Sequence, residues 1–261
     1  MRANALNARL RSRSILFAAG DERMARHLHF HFVKYRTDKW FARAAVLLIV
    51  GLQCALKNDL SLGPWWLGPI AELALLIPLS VRTLSVQRYA TEAETDEEWS
   101  RLGQKRRGVR RLSVALTAVS SALNLGALVK LMLAILSGAP GVDQGRGLLM
   151  DAANIWAVNV IIFALWFWAL DRGSPVNRGL ILPERKDFLF VQQQASFDPS
   201  FDGWSSGFID YVFLSFTNAT AFSPSDTFPL THRAKLLMMT ESAISLVTIT
   251  IVAARAVGIL R

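Results

Sequence analysis

The chain has 261 residues, of which 52% are apolar and 19% charged, and its formal charge is +9 at pH 7. A soluble domain carries about 25% charged residues, and here the charges gather in blocks separated by long apolar runs, the pattern that hydrocarbon imposes on a chain. The basic residues flank those runs as anchors, which argues against a nucleic-acid partner, and the single Cys54 leaves no intrachain disulfide or cysteine-rich zinc site.

Residues 1–43 hold ten Lys or Arg against three acids. Residues 1–39 read as a basic cytoplasmic arm that lies against anionic headgroups, with a short amphipathic helix around 16–32. No apolar stretch with a cleavage site precedes the first span, so no cleavable signal peptide is expected. His27, His29 and His31 alternate with apolar residues. Without an acidic or cysteine ligand nearby they read as solvated or interfacial side chains rather than a metal site.

Residues 40–84 predict a transmembrane hairpin. Span one, WFARAAVLLIVGLQCAL, covers 40–56, about 26 Å of helix and the lower limit for hydrocarbon. Arg43 is placed to snorkel, and Trp65 and Trp66 suit the headgroup belt. Span two runs from about 67 to 84. Its Glu72 belongs near an interface, neutral, or turned toward protein or water, and Pro78 predicts a kink.

Residues 85–111 form a charged cytoplasmic connector. From Arg82 to Arg111 there are eight basic and five acidic residues, acidic first (TEAETDEEW) and basic last (KRRGVRR), a pattern that suits a paired helical connection and a positive-inside anchor. Residues 112–147 give a third span and a turn, SGAPGVDQGRG. Asn124 is placed to bond a neighbouring helix.

Residues 148–261 begin with a fourth span to about 170, in which Asn154 and Asn159 are the polar features, followed by a long loop of net acidic character. A loop of that length suits shaping an entrance or holding a neighbouring subunit. The run GFIDYVFLSFTNATAF, 207–222, is short for a crossing and too polar for a lipid-facing one, so it predicts a half-membrane helix ending in a polar turn. The last span follows from about 234, with Glu241 facing the bundle interior or pairing at the surface. The fold class is therefore an all-α integral membrane protein with about five transmembrane helices plus a re-entrant helix before the last.

From Ser215 to Asp226 the chain reads SFTNATAFSPSD, and ARAVG stands at 254–258 after Arg233 and Glu241. This region, 148–261, resembles the pore module of tetrameric potassium channels: outer helix, pore helix, filter, inner helix. The whole layout is similar to the bacterial membrane-protein family called DUF1345. The resemblance implies a homo-oligomer of four copies in a bacterial inner membrane, with monovalent cations and lipids as partners; the positive-inside rule puts the N-terminus in the cytoplasm. Ser223, Pro224 and Ser225 stand where the channel filter carries Gly-Tyr-Gly, and proline at that point fixes its own backbone, so a standard potassium filter is not expected. Thr217, Asn218, Thr220, Ser223, Ser225 and Asp226 are the candidate pore or filter-like residues. Turn formation and helix capping are the structural reading of the same segment. Glu72, Asn124, Asn159 and Glu241 form a candidate intramembrane polar network.

Positive-inside placement puts both basic segments in the cytoplasm, and counting spans onward puts the 171–206 loop there too. A channel module in its usual orientation places that loop outside. No nucleotide loop or HExxH is present, and the acids and histidines lack catalytic spacing, so no catalytic residue, cofactor or metal is expected. A weakly selective cation channel or transporter and a non-conducting scaffold or ligand-binding protein are the two functions left open.

Overall fold

A computed structural model describes residues 40–56, 60, 64, 66–92, 96–137, 146–171, 187–193, 204, 206–220 and 227–259, with backbone alone at 83–92, 96–107, 137, 146 and 255–259. The described chain is a helical bundle: α1 (Trp40–Cys54), α2 (Leu67–Glu92), α3 (Asp96–Ser137), α4 (Arg146–Leu170), the short α5 (Phe208–Ala219) and α6 (His232–Ile259). Two three-residue strands, β1 (Phe188–Phe190) and β2 (Thr227–Pro229), are the departure from an all-helical reading.

Among the described residues three helical stretches, Gly108–Leu136, Gly147–Leu170 and His232–Ala254, are long and apolar enough to cross a membrane, while Trp40–Cys54 is apolar but shorter. At 42 residues, α3 is about 63 Å long, so its charged first turns project well beyond its apolar stretch. The charged connector of the sequence is thus mostly a continuation of α2 and α3. Helix α2 runs on through Pro78 without a break in assignment.

Consecutive helices from α1 to α5 are antiparallel, whereas α5 and α6 both start at the same end of the bundle. The start of α1 meets the later part of α2, where the Arg43 guanidinium donates to the Ser80 carbonyl (3.4 Å) and stacks over the Trp40 ring. The end of α1 meets the first turns of α2, where Gln53 bonds Glu72. Ala127, Leu128 and Leu131 of α3 pack with Leu148, Ala152 and Ile155 of α4, and Trp166 near the end of α4 donates to Ser121 in the middle of the apolar stretch of α3 (2.9 Å). Helix α4 is the central post, with 61% of its apolar window buried against 28% for α3 and 22% for α6. The large remainder of α3 and α6 presents Leu125, Val129, Leu133, Leu136, Leu236, Met239 and Leu246 outward. That much exposed apolar surface is what a lipid-facing or subunit-facing helix carries and a water-facing one avoids.

At the end where α4 stops and α6 starts, β1 pairs with β2 in antiparallel register, Phe188 opposite Pro229 and Phe190 opposite Thr227. Strand alternation turns Phe188 and Phe190 inward, both essentially inaccessible. There Phe188 meets Phe167 and Tyr211 edge-on, and Phe190 meets Tyr211 and Trp204, the arrangement aromatic quadrupoles favour. Proline tolerates a ladder only at an edge, and Pro229 ends this two-stranded ribbon.

Candidate functional site

Helix α5 carries the candidate site. Its N-terminus is fixed by the Gly207 amide donating to Asp210 Oδ2 (2.6 Å), a carboxylate in the first turn where orphan N–H groups and the helix dipole favour it. At that same end the Tyr211 hydroxyl bonds both the Asp171 carboxylate and Ser206 Oγ. Asp171 closes α4 and also accepts from the Asp187 and Phe188 amides (3.0 and 3.4 Å). Thr231, beside the start of α6, donates to Asp187 and accepts from the Ala234 amide. One buried carboxylate thereby ties together the end of α4, the start of β1 and the start of α5, and Asp187 extends the link to α6.

Further along, α5 descends between α4 and α6. Ser215 lies 2.6 Å from the Val160 carbonyl in the middle of α4 and also bonds Glu241. Asn218 Nδ2 donates to Glu241 Oε2 (2.7 Å) and to the Met238 carbonyl (3.0 Å), and its own carbonyl accepts from Ser242 (3.4 Å). Phe216 meets Trp156 edge-on at 5.9 Å. Trp156 lies fourteen residues before the end of α4 and Ser242 ten residues after the start of α6, depths of about 21 and 15 Å along those helices. The C-terminus of α5 therefore stops near the middle of the bundle, while β2, eight residues later, is back at the end from which α5 began.

The polar residues of the site divide into two groups. Glu241, Ser245 and Thr248, all fully buried, share one face of α6. Ser245 accepts from Asn159 Nδ2 (3.1 Å), so an Asn159–Ser245 pair lies one turn of α6 beyond the Ser215–Asn218–Glu241 group. Glu72 and Asn124 belong elsewhere, among α1, α2, α3 and α4: Gln53 Nε2 donates to Glu72 Oε1 (3.0 Å) and Asn124 Nδ2 to the Ile155 carbonyl (3.2 Å). The hydroxyls of Thr217 and Thr220 are spent on carbonyls of their own helix, Phe213 and Leu214 for the first, Phe216 and Thr217 for the second. Ser223, Ser225 and Asp226 lie outside the described residues.

Reading the sequence for intramembrane polar residues did not single out Gln53, Ser245, Asp171 or Tyr211. The 241, 245, 248 spacing was a usable signal, since it places three polar groups on one face of an apolar helix. Among the described residues no group of three or more His, Cys, Asp or Glu side chains could hold a metal ion. No protein-family model, no curated protein and no solved structure matches the chain, so the arrangement of its own side chains carries the functional reading.

Proposed function

We propose that the chain is a multi-pass membrane protein of about five spans, in a bacterial inner membrane, whose C-terminal half is a pore-module-like unit passing small cations as an oligomer. The depth of α5 carries this reading. A 12-residue helix, about 18 Å long, cannot cross a hydrocarbon core of about 30 Å. It enters from one end of an antiparallel helix pair and stops half way. Eight residue steps reach at most about 29 Å, enough for the chain to regain the level of β2. A helix in followed by a return to the same side is the layout of a re-entrant pore segment, and non-helical backbone at that depth is stable only where protein or water shields it. The likeness of SFTNATAFSPSD to a channel filter and of the layout to DUF1345 supports the same reading.

In the five-span arrangement the α2–α3 connector and the α5 opening share one end of the bundle. That end carries the basic arm and the KRRGVRR block, so the positive-inside rule faces it to the cytoplasm, inverted relative to the usual channel module.

The test is cation flux through the purified protein in liposomes. Native flux that falls in Thr220→Val, with folding preserved, is the expected result. Absence of flux for several cations and voltages would favour the second reading, a non-conducting scaffold. One observation supports that alternative: the polar groups of Asn218 and Glu241 are already bonded within the chain.

A further inference from the structure

A second polar site lies apart from α5, at the opposite end of the bundle. Gln53, Leu56, Pro64, Gly68, Pro69, Leu123, Asn124 and Asn154 are among the residues lining a cavity of about 40 Å³ between α1, α2, α3 and α4. A water needs about 10–15 Å³ on this measure, so the cavity holds a group of one to three waters in size. Its three amides are each oriented by a bond donated to the protein: Gln53 Nε2 to Glu72 Oε1, Asn124 Nδ2 to Ile155 O and Asn154 Nδ2 to Leu52 O (2.6 Å). With their nitrogens held in this way, the carbonyl oxygens are the groups left to accept, and Asn154 Oδ1 is buried without a partner among the described residues.

Behind Gln53 stands Glu72, one helical turn from Gly68 on the same face of α2 and fully buried. Its Oε1 takes the Gln53 amide, Ser120 is its neighbour on α3, and Oε2 has no partner among the described residues. Amide carbonyls are oxygen acceptors suited to hard cations, and a carboxylate next to them adds negative potential in a poorly screened interior.

We infer that this cavity binds one small monovalent cation through the amide carbonyls of Gln53, Asn124 and Asn154, with Glu72 as the positioning and charge-balancing group behind Gln53. Gly68 leaves the room: a Cβ there would sit 3.2 Å from Leu123 Cδ1 and 3.4 Å from Gln53 Oε1. The site is independent of the cation path proposed at α5, since it involves neither α5 nor α6.

The test is calorimetric titration of the full-length protein in detergent with potassium or sodium chloride, against N-methylglucamine chloride at equal ionic strength. Saturable binding of an alkali cation is expected, weakened about tenfold to a hundredfold by Glu72→Gln, the effect typical of removing an outer-shell partner, and weakened in Gly68→Ala. No saturable signal beyond the N-methylglucamine control would overturn the site, as would unchanged affinity in Glu72→Gln. If Glu72→Gln does not fold, Gly68→Ala decides: unchanged affinity there overturns the site equally.

Discussion

Asn218 of α5 donates a 2.7 Å hydrogen bond to Glu241 of α6, with both side chains buried where the short helix ends. This bond joins the half-length helix to the long helix beside it at mid-bundle depth. A carboxylate in an apolar interior is tolerated only when its lone pairs are satisfied, and Ser215 supplies the second donor.

Replacing Glu241 with alanine leaves Ser215 and Asn218 with only their carbonyl partners, Val160 and Met238. The Asn218 N–H that faced Glu241 is left without an acceptor, a loss of about 1–3 kcal/mol on the general scale, so Glu241→Ala is expected to lower the unfolding temperature in detergent. Glu241→Gln should lose less, because its amide keeps one acceptor and the Ser215 hydroxyl can turn to accept from it. Equal unfolding temperatures for Glu241→Ala and the native chain would contradict the assignment.

The Asn159–Ser245 bond at 3.1 Å connects α4 to α6 without any ionised group. A double-mutant cycle with Asn159→Ala and Ser245→Ala should give a coupling of about 0.6 kcal/mol, the average for hydrogen bonds between membrane helices. Strict additivity in chemical denaturation would show that the two side chains do not meet.

Asp171 holds three donors at the ribbon end, the Asp187 and Phe188 amides and the Tyr211 hydroxyl. Tyr211→Phe removes one of them and is expected to cost about 0.5–1.5 kcal/mol, the general range for one hydrogen bond. Asp171→Ala removes the shared acceptor and should cost more, with a change in the near-ultraviolet dichroism of the Phe188, Phe190, Trp204 and Tyr211 cluster.

Pro64 and Phe228 are both exposed and lie at opposite ends of the bundle. In a Cys54→Ser background, Pro64→Cys is expected to react with an impermeant maleimide outside sealed right-side-out vesicles, and Phe228→Cys only after the vesicles are opened. Reaction of Phe228→Cys from outside would reverse the orientation derived from the basic segments.

The helices were legible because apolar runs such as 112–136 and 148–170 carry their signal locally. So was the short α5, whose apolar run is too brief and too polar to span. Asn124 was expected to bond a neighbouring helix and Glu241 to face the interior or the surface; the first bonds α4, and the second faces the interior. The ribbon was not legible, since three residues hold no usable periodicity and β1 exists through Asp171, sixteen residues before Asp187, and through its pairing with β2. The cavity was hidden for a similar reason: Asn154 meets the Leu52 carbonyl across 102 residues of chain. Nothing in either local sequence announces such a partner, and Glu72 and Glu241, alike in sequence context, fall into different clusters.

The most direct test places spin labels at Ile209→Cys, Thr220→Cys and Phe228→Cys in the Cys54→Ser protein in bilayers and measures their depth by collision with oxygen and with a water-soluble nickel complex. A re-entrant α5 predicts Ile209 and Phe228 near one surface and Thr220 near mid-bilayer. Thr220 at the opposite surface would make the segment a full crossing, and Thr220 level with the other two would make α5 a surface helix; either result contradicts the pore-module-like reading.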